Sequence, residues 1–332
     1  QPRPWTTIQA AVQAATAGAI VAVAEGTYAE DLLIQGKPVR VWGRCPALVE
    51  VTDTGGAYSA ITVVGASASG TEIRDLALST SQGWGLEITG ARDVLVDRVW
   101  IHDVASWGMT LLTDTGVPSV TLSRSLVEDA VMMGLFAQGA ALWVDQSVVR
   151  EPRADPSGQF GRGVAARDYN PQQQRASLHV SSSLIEHNRY AGIHVSGSDG
   201  LIEATVVRHT QEQSSNGLGG RGLNAQVDLD SGLAPSLVVR SSVFEHNHDT
   251  AIFVEGAAAL IDAAVLRDTH APAATGPREG GRGLNAQLDP VNELRANVSL
   301  LDSLVERNEG LGIFAGGSDL VMERTLIRDT LE

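Results

Sequence analysis

Along most of this chain apolar residues alternate with polar ones over short runs, each run ending in a polar bend. Gly192-Ile193-His194-Val195-Ser196 and Ala251-Ile252-Phe253-Val254-Glu255 carry the period of two that sets one face of a strand against a core. Leu95-Val96, Val120-Thr121-Leu122 and Leu178-His179-Val180 begin further strands. Only the N-terminus departs from this pattern. Ile8 to Ala15 (IQAAVQAA) predicts a helix, with Thr6 or Thr7 as N-cap and Gly18 as its end. Ala19–Ala24 then reads as a strand and Glu25–Tyr28 as a turn.

The strand pattern repeats. SLHVSSSLIEHN (177–188), SLVVRSSVFEHN (236–247) and SLLDSLVERN (299–308) are three copies of one phrase. GRG recurs at 161–163, 220–222 and 281–283, twice extended to GRGLNAQ, and Arg162, Arg221 and Arg282 are 59 and 61 residues apart. Each period holds two shorter phrases, which align on Gly85, Gly108, Gly134, Gly163, Gly192, Gly222, Ala251, Gly283 and Gly312. Neighbouring positions differ by 23 to 32 residues, the length of one coil of a parallel β-helix. The expected fold is an all-β solenoid with a short N-terminal capping helix, rising about 4.8 Å per coil. One domain is expected over 1–332, with the cap and first coils in 1–47 and repeating coils in 48–332. Gln1 reads as a trimmed start, and the chain stops mid-phrase at Thr330-Leu331-Glu332, since LIRDT echoes VLRDT at 265–269. The expectation is a piece of a longer protein.

The segment TIQAAVQAATAGAIVAVAEGTYAEDLLI (7–34), followed by coils with GI.V.G and LI..N phrases, resembles the secreted right-handed parallel β-helix proteins of the pectin-lyase-like superfamily. The resemblance extends over nearly the whole chain. It implies a right-handed helix, an extracellular or envelope location and a link to polysaccharides; it implies no single activity. Lyases of that superfamily place calcium-binding acids and a basic residue on one face. Here Lys37 is the only lysine and no acidic cluster has calcium-loop spacing. The Asp-Asp, Asn-Thr-Asp and Gly-His-Gly motifs of its glycosidases are missing.

Stacked coils turn distant residues into vertical columns. Asn188, Asn247 and Asn308 share one column and read as structural, through left-handed bends and an amide ladder. The position before the aligned glycine runs Trp84, Trp107, Met133, Arg162, Ala191, Arg221, Thr250, Arg282 and Leu311. Tryptophan faces suit sugar rings and arginine forks suit carboxylates, so Trp84, Trp107, Arg162, Arg221 and Arg282 are candidate ligand-binding residues. The competing readings place the tryptophans in the core and the arginines as loop braces to Asp228 and Asp289. Asp103 and Asp129, on neighbouring coils with His102 beside them, are the candidate catalytic residues of a hydrolase. His187 and His246 recur with the repeat, which argues against a metal site; no metal or cofactor is expected. Phe136, Phe253 and Phe314 share an outward column and need covering, which the insertions at 151–161, 211–219 and 271–280 would supply.

Composition narrows the function. Of 332 residues, 43% are hydrophobic and 19% charged, with a net charge of -15. An acidic surface excludes nucleic acid and anionic membrane as partners. No apolar run reaches membrane-spanning length. Cys45 reads as a buried small hydrophobe or as half of a disulfide. The reading favoured is a non-catalytic extracellular rod that binds polysaccharide or serves as a surface or adhesin module. The alternative is a polysaccharide lyase or glycoside hydrolase with a cleft around coils 84–145.

Overall fold

The computed structural model describes residues 4–169, 172–272 and 280–330. The chain winds into a right-handed parallel β-helix of stacked coils, each contributing one strand to each of three sheets. The first sheet runs from Ile20–Ala22 to Asp319–Glu323 and the second from Gly26–Ala29 to Leu326–Arg328, with 12 strands each. The third has 11 strands, from Leu32–Gln35 to Ile313–Gly316. Every strand pairs in parallel with its counterparts one coil before and after, so all ladder hydrogen bonds run between coils.

The alternating pattern explains the interior. Leu86, Ile88, Met109, Leu111, Ile193 and Val195 of the third sheet point into one continuous core with Val, Ile and Leu of the other two and with the fully buried Phe244. The aligned glycines start the third-sheet strands. A Cβ on Gly108 would sit 2.5 Å from the Gly134 carbonyl of the next coil, so a side chain there would force the coils apart. Between the second and third sheets the bend of each coil from Asp103 onward begins with a residue of positive φ, among them Asp103 (48°), Asp129 (54°), His187 (54°), His209 (55°) and His246 (52°).

The helix spans Ile8–Ala14, one residue shorter than expected. Thr7 is its N-cap, accepting from the Ala10 N–H, and Ile8 and Val12 cover the first coil. The Glu30 carboxylate accepts from the N–H groups of Ile8 and Gln9, both at 2.9 Å, where the helix dipole favours negative charge. The lone lysine caps the other end, its Nζ donating to the Gln13 carbonyl at 2.7 Å. The turn expected at Glu25–Tyr28 is instead Gly26–Ala29, the first strand of the second sheet, because Gly26 and Thr27 pair with Val49 and Glu50.

The asparagine column also differs from expectation. Asn247 and Asn308 are fully buried but lie two coils apart, with threonine in the coil between. Their amides therefore bond backbone. Asn247 accepts from the Thr210 N–H (3.1 Å) and donates to the Val207 carbonyl (3.0 Å); Asn308 does the same with Thr269 and Leu266. Asn188 is equally buried yet unpartnered at both amide atoms. The coil before it carries Pro152, which has no N–H to give.

Candidate functional site

The outer face of the third sheet carries the columns expected from the glycine alignment. Ser59 pairs with Trp84, Met133 with Arg162, Ala191 with Arg221 and Thr250 with Arg282. Trp84 and Trp107 lie outside the main core. Their indoles stack on one another at 5.3 Å and 9°, and Trp107 meets Phe136 edge-on at 4.9 Å. Tyr58, 80% exposed, extends the row beyond Trp84. Because the two indoles face each other, they present the edges of their rings to solvent as an apolar strip, not two open faces.

The strip leads to a cavity of about 210 Å³ lined by Phe136, Arg162, Arg167, His194, Gln226 and Asp228. Arg162 is the unusual member. Its guanidinium lies over the Tyr190 ring at 4.6 Å and the Phe160 ring at 5.6 Å, with no carboxylate partner among the described residues. Burial pushes it below its usual value, and Tyr190 offsets this only in part. Arg221, one repeat later, is braced: Nε lies 2.9 Å from Asp249, Nη1 donates to Asn224, and the fork covers Phe253 at 3.5 Å. Arg282 covers Phe314 at 4.6 Å.

The coil above Arg162 explains the difference. It places Tyr190 where the next copies have Asp249 and Gly310, and His194 where they have Phe253 and Phe314. Tyr190 holds φ at 64°, a strained value for a bulky residue. Three hydrogen bonds pin it: its N–H donates to the Gln211 carbonyl (2.8 Å), and its own carbonyl accepts from Gly220 (2.9 Å) and Arg221 (3.1 Å). Arg167 likewise replaces the glutamine of the other copies, Gln226 and Gln287. It pairs with Asp228 at 2.8 Å and with Asp230. Burial would raise the Asp228 carboxyl, but Arg167, Ser196 and nearby backbone N–H groups outweigh it and hold it below the usual range. Asp168 beside them is 1% exposed; burial raises its carboxyl, Ser231 opposes the rise in part, and Asp228 adds to it. His194 is 6% exposed; burial first, then Arg162, Arg221 and Arg167, push its imidazole well below 6.5, so it is neutral at pH 7.

No protein-family model and no curated protein sequence matches this chain. Solved structures do. The Azotobacter vinelandii mannuronan C-5 epimerase AlgE6 A-module superposes with a TM-score of 0.65 at 13% identity, covering 97% of this chain and 94% of that one. Alginate lyase from Paenibacillus sp. str. FPU-7 gives 0.56 at 13%, over 96% and 95%. The Agl-KA catalytic domain gives 0.63 at 12%, over 95% and 64%. The chain shares the parallel β-helix fold of these proteins. At these identities the likeness is one of fold.

Within this β-helix the remaining candidates lie elsewhere. Asp103 and Asp129 occupy the positive-φ bend before the third sheet, a position that recurs in each later coil. Asp103 is bonded to His102 Nδ1 at 2.9 Å, and His102 stacks on Trp100 at 3.7 Å. Asp129 lies 3.9 Å from Arg153. The histidines of the same bend, His187, His209 and His246, stack face to face at 4.9 and 5.2 Å. Among the described residues no group of three or more His, Cys, Asp or Glu is placed to hold a metal ion. Cys45 is half-buried and free. Phe136 and Phe253 are buried, Phe253 chiefly under the Arg221 fork. The insertions at 151–161 and 211–219 meet at Gly158 and Ser215 beside the site, while most of 271–280 lies outside the described residues. No helix is long and apolar enough to cross a membrane.

Sequence reasoning placed Arg162 in the site but missed Tyr190, Arg167 and His194 as its companions. For Arg167 and His194 the signal was present, since each breaks a position that the other copies keep as glutamine or phenylalanine; the Tyr190 position varies, to Asp249 and Gly310. His194 looked like an ordinary outward residue of a half-buried strand, whereas Ala191–Ser196 is buried on both faces.

Proposed function

We propose that the outer face of the third sheet binds a polysaccharide that carries carboxylates. Tyr58, Trp84 and Trp107 form an apolar strip for sugar rings, and Arg162 receives a carboxylate in the pocket. The observation that carries this reading is a mostly buried guanidinium with no acidic partner among the described residues, where the next copy pairs Arg221 with Asp249. A buried cation without a counter-charge is costly, and a ligand carboxylate held by the planar fork removes that cost. Two of the fold neighbours are named for mannuronan and alginate, both uronate polymers, which supports the same ligand class. Binding without turnover, by an extracellular or envelope rod, is the primary reading.

A second reading is turnover at the same pocket, favoured by the pinned Tyr190 beside Arg162. Neutralising a uronate carboxylate acidifies the adjacent C–H, and Tyr190 in its phenolate form would take that proton and become the neutral phenol. A panel of immobilised polymannuronate, polygalacturonate and neutral glucan tests both. Retardation by the polyuronates alone supports binding; no retardation by either overturns it. Unsaturated product or deuterium taken up at C5, lost in Tyr190→Phe, supports turnover; neither signal excludes it.

A further inference from the structure

His194 reaches the pocket with one ring nitrogen committed to the interior, and the hydrogen-bond chain behind it fixes which one carries the proton. Asn224, buried in the next coil, is 2.8 Å from Arg221 Nη1 on one side and 2.8 Å from His194 Nδ1 on the other. An arginine has no acceptor, so the amide oxygen of Asn224 must face Arg221. Its NH2 group then faces inward and donates to His194 Nδ1 and to Gln226 Oε1, both at 2.8 Å. A nitrogen that accepts a hydrogen bond holds no proton, so the hydrogen of the neutral ring sits on Nε2. Nε2 has no hydrogen-bond partner among the described residues, and His194 lines the cavity.

We propose that Arg221 and Asn224 act as positioning residues that lock His194 as its Nε2–H tautomer, so that His194 offers the pocket a hydrogen-bond donor and not a base. The arrangement occurs once. In the second GRGLNAQ, 281–287, the corresponding Asn285 has no partner for its amide oxygen among the described residues, and Phe253 and Phe314 stand where a histidine would. The motif itself is therefore a repeat element, and only its first occurrence, 220–226, faces an imidazole. Arg162 and His194 Nε2–H then offer the pocket two unpaired donors, while Asp228 and Asp230 of its lining are paired with Arg167, which suits an oxygen-rich anionic ligand. That last step rests on the carboxylated-polysaccharide reading; the tautomer does not.

Long-range proton–nitrogen NMR of the full chain labelled in its eight histidines tests the proposal. The His194 signals are assigned by their loss in His194→Phe, the residue of the other copies. The expected wild-type spectrum shows an unprotonated Nδ1 and a protonated Nε2. In Asn224→Asp the carboxylate accepts from both sides, so the proton moves to Nδ1 and the pattern reverses. A protonated Nδ1 in the wild type, or an unchanged pattern in folded Asn224→Asp, overturns the proposal. The wild-type spectrum decides the tautomer even if that variant fails to fold. A mannuronate tetrasaccharide added to the wild type should shift Nε2–H. The expected tautomer with no shift and no binding would count against the ligand reading alone.

Discussion

Arg162 and Arg221 stand at the same place in successive copies of the repeat, but only Arg221 has a carboxylate, Asp249, 2.9 Å from its guanidinium. The pair brackets the coil that carries Tyr190 and His194, and the contrast predicts opposite costs. Arg221→Ala leaves the largely buried Asp249 and the Asn224 amide oxygen unpaired and should lower stability by about 2 to 3 kcal/mol. Arg162→Met removes a desolvated charge with no partner and should change stability by less than about 1 kcal/mol while abolishing polyuronate binding. Denaturant midpoints and affinity electrophoresis of the two variants check both halves.

The apolar strip predicts a graded effect on affinity. Tyr58 is exposed at its end, so Tyr58→Ala should weaken polysaccharide binding a fewfold without altering the fold. Trp84→Ala should weaken it by about tenfold. Trp143, 41% exposed on the first sheet, is the control, and Trp143→Ala should leave affinity unchanged. Fluorescence titration with an oligouronate measures all three.

Burying a neutral imidazole makes stability depend on pH. In the unfolded chain His194 takes up a proton near 6.5, whereas in the fold its pKa lies well below that. The unfolded state then binds more protons, so the His194 contribution is neutral above pH 6.5 and destabilising as pH falls below it. The slope is about 1.4 kcal/mol per pH unit until the folded pKa is reached. His194→Phe should lose this share of the slope. Unfolding both proteins at pH 7 and at pH 5.5 isolates the difference; equal slopes would show that His194 titrates normally in the fold.

The buried asparagines predict unequal losses. Asn247→Ala strips the Thr210 N–H and the Val207 carbonyl of their partners and should cost about 2 kcal/mol. Asn188→Ala removes an amide that already lacks partners and should cost less than half of that, while Pro152→Thr should raise stability by supplying the missing N–H. Thermal or chemical melts rank the three.

The fold was legible because its determinants are periodic. Glycines that cannot bear a Cβ against the next carbonyl, and inward Val, Ile and Leu at a spacing of two, leave a signal in every coil, and the column that Gly192, Gly222 and Gly283 predicted is the one observed. The site was legible only in part, because it is made by exceptions. Tyr190 stands where the later copies have Asp249 and Gly310, and its strain is visible only in φ. The neutrality of His194 depends on loops and on three arginines from other coils, which no single stretch of sequence displays. The two stacked indoles were assigned open faces because a column says which residues are neighbours but not how their rings turn.

The central claim is that Arg162 is a carboxylate receptor. Calorimetric titration of the full chain with a mannuronate tetrasaccharide and with its carboxyl-reduced twin tests it most directly. The acid should bind at least about tenfold more tightly than the reduced sugar, and Arg162→Met should erase that preference. Equal affinity for the two sugars, or an undiminished preference in Arg162→Met, would contradict it.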